Sequence, residues 1–420
     1  MKQKSLLKTT AILCAYAAGI TTMSATAPTG LAAGAEDSPA FSTATEAAVL
    51  AELLETFGYE SVTELLGETR TLPDVSRIKD LDGNNVVNVL DAQYLLMFLD
   101  GAKMYSYEYS ELDVTGDYIL SRIDAEVYLQ YAAYYLIHQQ TAPFSSHGSL
   151  RTINTTFEYR SYRKHLYSNG YSTTYDTTYT LNSSTNAPDD AETTNSHSAS
   201  ASSTYDTRIV MNSGSGFINS PHTFVTAAHC VYNLSSGLYS SAAIKVSTYE
   251  NGIPNQTTLT PVSVHIPVDY LNSTLSNRHF YDYAVVEVEE DLSAYGSFEA
   301  GILLDGVDTL VETNTTGIPT VLGGFPSLAA YDYNNDRGYP AAFAGELNDF
   351  SDYDFTTTSA RAGSMSGGVH YTTVTYNGVS RDVAFGVHNS GVGNDIVTYS
   401  RGSVITRPIL QFLYNNPYLP

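Results

Sequence analysis

Two stretches of this chain, DLDGNNVVNVLDAQYLLMF starting at Asp80 and DVTGDYILSRIDAEVYLQY starting at Asp113, are versions of a single design. Oxygen-bearing side chains stand at positions 1, 3, 5, 9 and 12 of each: Asp80, Asp82, Asn84, Asn88 and Asp91 in the first, and Asp113, Thr115, Asp117, Ser121 and Asp124 in the second. Position 7, Val86 or Ile119, offers its backbone carbonyl. A calcium ion takes about six to eight hard oxygen ligands, and this spacing wraps a twelve-residue loop around one such ion. Each loop then runs into Asp-Ala and a helical pattern that carries Leu96 and Phe98, or Leu129 and Tyr131. Residues 74–140 are therefore expected to form a small α-helical domain, built twice, around two structural Ca2+ ions.

Position 12 is Asp, position 6 is Asn85 or Tyr118 where a standard EF-hand loop has Gly, and no incoming helix is evident before either loop. With these departures the repeat resembles a dockerin, the module that plugs cellulosomal enzymes into the cohesins of a scaffoldin. The resemblance implies a cohesin partner, read by the residues at loop positions 10 and 11. Those are Val89 and Leu90 in one copy, and Arg122 and Ile123 in the other. A calcium-stabilised spacer is the plainer alternative, since so small a unit without disulfides needs metal to fold.

The segments around this repeat bound the rest. The start, MKQKSLLKTTAILCAYAAGITTMSATAPTGLAA, reads as a secretory signal over residues 1–33: lysines, an apolar run, then small residues at a cleavage site. The apolar run is short for an anchor. The protein is thus expected outside the cell, attached to a surface multienzyme complex without membrane insertion. A net charge of −24 excludes nucleic acid as a partner held by charge. Once Cys14 leaves with the signal, Cys230 stands alone and no internal disulfide is expected. Residues 34–73 read as a short helical lead-in. Residues 141–206, dominated by Ser, Thr, Tyr, Asn and Asp, read as a linker or propeptide. A cut there would part the calcium loops from the C-terminal half of the chain, and the sequence leaves a tethered and a released form both open.

From residue 207 the texture is all-β: RIVM, GSGFI, YAVVEVE, VHYTTVTY and DVAFGVH, punctuated by Gly, Asn and Pro, with a closing helix at RPILQFLYNN. Three motifs carry chemistry: His229 in TAAHC, Asp282 before AVVEV, and Ser366 in the turn AGSMSGG. A serine hydroxyl becomes a nucleophile when an imidazole takes its proton, and a buried carboxylate fixes that imidazole's tautomer. In this order the motifs resemble those of the chymotrypsin-fold serine peptidases. GGFPS, SMSGG and AFGVHNSG bring the resemblance, which covers about half the chain, to the glutamyl endopeptidase (V8-like) branch.

That resemblance implies a double β-barrel of chymotrypsin/trypsin-like fold over residues 207–420, six strands to each barrel. It makes Ser366 the nucleophile, His229 the general base and acid, and Asp282 the orienter, with protein or peptide substrates and no catalytic cofactor. It places the oxyanion donors on the backbone N–H groups of Ser366 and Ser364. It also puts His388 in the specificity pocket, where an imidazole can bind a substrate carboxylate. Ala360 stands where trypsin-like enzymes carry the Asp that binds Lys or Arg. Beside it, Arg361 either clamps an acidic side chain or points to solvent. Ser364 occupies a position where the family usually has Gly, so the alternative to a peptidase cutting after Glu or Asp is an inactive binding or structural module. Cys230 is expected to act as a small buried hydrophobe.

Overall fold

The computed structural model describes residues 43–67, 72–99, 109–147, 160–166, 177–181, 209–211, 214–239, 244–250, 253–304, 318–327, 332–333, 336–337, 339–351, 353–360, 362–376, 378–393, 398–406 and 409. The expected signal at 1–33, most of the 141–206 stretch, Arg361 and all of the closing helix except Ile409 fall outside them. No helix among the described residues is long and apolar enough to cross a membrane.

Helix α1 (Thr43–Phe57) and a short helix, Val62–Leu66, lead in; the two loops then deliver α2 (Val89–Leu99) and α3 (Arg122–Ile137). The loops repeat each other at the level of single hydrogen bonds. In each, the position 1 carboxylate accepts from the N–H groups of positions 4 and 6, which are Gly83 and Asn85, or Gly116 and Tyr118. The position 12 carboxylate accepts from positions 2 and 9: Leu81 and Asn88, or Val114 and Ser121. Position 6 lies in the left-handed region in both copies, with φ 69° at Asn85 and 64° at Tyr118, so the glycine conformation is kept where glycine is not.

α3 is buried on every side from Arg122 through Ala133, as a helix must be when it is enclosed rather than laid on a surface. It lies between α2 and the second of two β-sheets. The residues expected to read a cohesin are not at a surface. Val89, Leu90, Arg122 and Ile123 are 1%, 4%, 5% and 6% exposed, covered by the chain's own core, and none presents its side chain to another protein.

The first sheet contains β1 (Arg160–Leu166), β2 (Thr177–Leu181), β3 (Ile209–Met211), β4 (Gly214–Ser220), β5 (Thr223–Thr226), β6 (Ile244–Glu250), β7 (Ile253–Leu259), β8 (Pro261–Pro267) and β9 (Ala284–Val288). Its order is β7-β6-β3-β4-β5-β9-β8-β1-β2, and no ladder joins β7 to β8 among the described residues. β1 and β2 come from the stretch expected as linker. β1 pairs antiparallel with β8 from Ser263↔Leu166 to Pro267↔Tyr162. The second sheet contains β10 (Glu299–Ala300), β11 (Pro319–Gly324), β12 (Ala341–Phe350), β13 (Asp354–Thr357), β14 (Val369–Tyr376), β15 (Val379–Gly393) and β16 (Thr398–Val404). Its order is β10-β15-β14-β11-β12-β13-β16, and a β15–β16 ladder closes a six-stranded barrel to which β10 is added in parallel.

Among the described residues there are two hydrophobic cores. One fills the first barrel around Phe224, Val264, Ile266 and Val286. The other runs without a break from Leu53, Leu95 and Tyr128 of the helical region into Val374, Val383 and Phe385 of the second barrel. The catalytic candidates lie where the two barrels meet.

Candidate active site

All four residues of β5 are buried, and the chain turns at Ala227 into a single helical turn, Ala228–Val231, that carries His229. Asp282 follows the 3-10 turn Arg278–Tyr281 and is 7% exposed. Its carboxylate takes two bonds from the same residue: the His229 backbone N–H donates to Oδ1 at 2.9 Å, and Nδ1 lies 2.6 Å from Oδ2. Two bonds fix both the position and the rotation of the ring. They place the proton on Nδ1 and leave the Nε2 lone pair free to accept another. Burial disfavours the imidazolium, but the Asp282 charge and hydrogen bond outweigh it and hold His229 well above the ordinary histidine range.

Ser366 sits in a turn that the first barrel grips from behind. Its carbonyl accepts from the Ser215 N–H at 2.7 Å and from the Cys230 thiol at 3.6 Å. Ser215 Oγ donates to the Ser364 carbonyl at 2.9 Å and accepts from the Phe325 N–H at 2.8 Å. Gly367 donates to the His388 carbonyl at 2.7 Å, and His388 returns a bond to the Gly368 carbonyl at 2.8 Å. Gly367 is at φ 82°, and a Cβ there would stand 2.2 Å from both the Ser215 carbonyl oxygen and Thr226 Oγ1. Only glycine fits. Ser364 itself has φ 67°, the conformation of the glycine it replaces, so the substitution has not turned the loop away from that shape.

The described residues thus bring His229, Asp282 and the Ser366 turn together, although no hydrogen bond among them joins Ser366 to His229. Such bonds are often long before substrate arrives. Cys230, 5% exposed, is buried as expected, and it also hydrogen-bonds the carbonyl of Ser366. A tie across the barrels completes the frame: Asn389 Nδ2 and Ser403 Oγ both donate to the carbonyl of His279, three residues before Asp282, at 2.7 and 2.8 Å.

His388 is 3% exposed on β15, beside the Ser366 turn, and its Nδ1 lies 3.2 Å from Nε2 of His370. His370, on β14, is wholly buried against Phe355. Burial, then the neighbouring His388, pushes its pKa well below the histidine range, so it is neutral. Sequence reading missed His370 and Ser215. Each is a polar residue in a strand stretch buried on both faces, so no alternation marks it. Ala360 is exposed, and Arg361 lies outside the described residues.

A histidine locked on a carboxylate in one barrel, facing a glycine-flanked serine turn in the other, is the arrangement of a serine peptidase. Residues 190–317 match the family described as Trypsin; they include His229 and Asp282, and Ser366 lies beyond them. The chain carries a trypsin-family serine peptidase domain, preceded by a helical region. Among solved structures, the chain is similar to one titled "Structure of Glu endopeptidase in complex with MPD", at 18% identity over 52% of this chain and 95% of that one, with a TM-score of 0.38. No curated protein matches the chain.

Proposed function

We propose that the chain is an active endopeptidase that cleaves after Glu, and less readily after Asp, through an acyl-enzyme. The observation that carries activity is the doubly bonded His229–Asp282 pair beside the Ser366 turn. Ser366 Oγ attacks the scissile carbonyl as His229 Nε2 takes its proton. The oxyanion that forms is met by the backbone N–H groups of Ser366 and Ser364, where charge stabilisation of this kind is strongest. His229 then protonates the leaving amine, and water repeats the sequence to release the acid.

His388 supports the acidic preference. His370 Nδ1 has no partner among the described residues. A buried bare lone pair costs less than a buried orphan N–H, so we assign the His370 proton to Nε2, donated to His388 Nδ1. His388 is then protonated on Nε2, the nitrogen on the far side of its ring, and can donate there to a substrate carboxylate. Labelling by a fluorophosphonate that disappears in Ser366→Ala, together with cuts after Glu in a mixed peptide library, is the expected result. A wild-type protein that takes no Ser366-dependent label would instead be the inactive module.

We further propose that each loop holds one calcium ion. In the first, the carboxylates of Asp80, Asp82 and Asp91 all lie within 4.8 Å of one another. Burial, then the neighbouring acids, holds Asp91 well above the carboxylate range, and burial raises Asp82 to about 6. Such a donor set suits a hard divalent cation, which would relieve the repulsion. Asp80, Asp82, Asn84, Asn88, Asp91 and the Val86 carbonyl would hold one ion. Asp113, Thr115, Asp117, Ser121, Asp124 and the Ile119 carbonyl would hold the other. The ions serve structure rather than catalysis. Export is proposed from residues 1–33.

A further inference from the structure

We propose that the calcium-loop module is an intramolecular subunit of the peptidase. It is docked on the second barrel through α3 and the second loop, and it stays docked when the chain between them is cut. This stands apart from the calcium reading and from whether Ser366 is active.

Three buried charges and a half-buried one, Arg381, meet at the contact, two from each side. Arg122 and Glu126 belong to α3, while Glu299 and Arg381 belong to β10 and β15; Glu126 is 4% exposed, Arg122 5% and Glu299 0%. Arg381 Nη1 lies 2.6 Å from Glu126 Oε2. The other oxygen of Glu126 accepts from the Tyr59 hydroxyl and from Gln130 Nε2. Burial raises the pKa of Glu299, and the charges of Arg381 and Arg122 oppose that rise. Charges survive burial when they are paired, so parting these faces would strand charges on both. Ile123 and Val127 of α3 and Tyr376 and Val379 of the second barrel line a small cleft beside this cluster.

The backbone joins as well. Ile302 and Leu303, in the connection between the barrels, pair antiparallel with Leu120 and Ile119 of the second calcium loop. The Leu304 N–H donates to the Tyr118 carbonyl at 3.0 Å. Just upstream, Phe298 N–H donates to Ile218 of the first barrel, and Gly301 N–H to Ala384 of the second, both at 2.9 Å. The barrel connection is therefore held in turn by barrel one, barrel two and the module. A module tethered by a flexible linker to an independent enzyme would share neither a core nor a ladder with it. Cleavage between 182 and 208 would leave β1 and β2 with the N-terminal piece too, and the product is a two-chain enzyme rather than a released one.

The test places a site-specific protease sequence between His147 and Arg160 of the full chain, so that only the α-helical module is severed. In calcium-containing buffer the two pieces of the cut protein are expected to co-elute on size exclusion at micromolar concentration, and a tag on the module to retain the peptidase piece. Elution of the module at its own size would overturn the proposal. Glu126→Arg sets three like charges together and is expected to separate the cut pieces, and adding Arg381→Glu to restore co-elution. If Glu126→Arg prevents folding, Glu126→Gln is expected to speed dissociation of the cut module at least about tenfold. Unchanged dissociation in the variant that folds would show that these charges do not hold the contact, and would equally overturn it.

Discussion

His229 carries two consequences of opposite sign. The Asp282 carboxylate raises its pKa, and only the neutral ring can take the Ser366 proton. kcat/KM is therefore expected to fall on acidification through a value above about 6.5, the ordinary histidine pKa. Asp282→Asn removes the cause, so the acid limb should move down while kcat drops by about ten-thousandfold, the scale for a triad held in the wrong tautomer. A pH–rate profile of both proteins on one peptide checks this. The stability contribution runs the other way: it is full below the unfolded-state pKa and lost as pH rises through the folded one. At this scale the sequence was most legible where chemistry demands a residue type. His229, Asp282 and Ser366 could be named because acyl transfer needs a base, an orienter and a nucleophile. Ser215, His370 and the thiol bond of Cys230 act through neighbours more than a hundred residues away or on an adjacent strand, and no local spacing encodes that.

Among elements, the two twelve-residue loops were readable because the chain repeats itself, and the hydrogen bonds that fold each loop recur in both copies. β1 and β2 were not, because their Ser-, Thr- and Tyr-rich segments lack the Val and Ile runs that mark a strand, and β8 supplies the edge that orders β1. The segment joining the barrels was equally silent. At its centre a Cβ on Gly301 would stand 2.7 Å from Val383 Cγ1 and 2.9 Å from Ile119 Cγ2. Gly301→Ala is expected to destabilise the protein by about 1–3 kcal/mol, the usual cost of overpacking, with the m-value kept. Urea denaturation measures it, and a change within about 0.5 kcal/mol, the scale of surface substitutions, would mean that the junction is loose.

For the whole molecule, the shared core predicts how calcium and the peptidase depend on each other. Removing the ions with a chelator is expected to lower the melting temperature of the entire protein in one transition, because Leu120 and Ile119, which pair with the barrel connection, sit inside the second loop. Scanning calorimetry that resolved an early transition for the helices and an unchanged one for the barrels would refute this. The resemblance to a docking module led the sequence reading to an outside partner. Burial of Val89, Leu90, Arg122 and Ile123 redirects that expectation, since identical loop chemistry can face inward as well as outward.

The contact at Glu299 also bears on how such a gene can be rearranged. A recombination event that joined residue 207 onward to a new leader would transfer the triad intact. It would also strand a fully buried carboxylate beside Arg381, without Arg122, and leave Ile302 and Leu303 with no edge to pair against. A segment that keeps every one of these partners must therefore include both twelve-residue loops and α3.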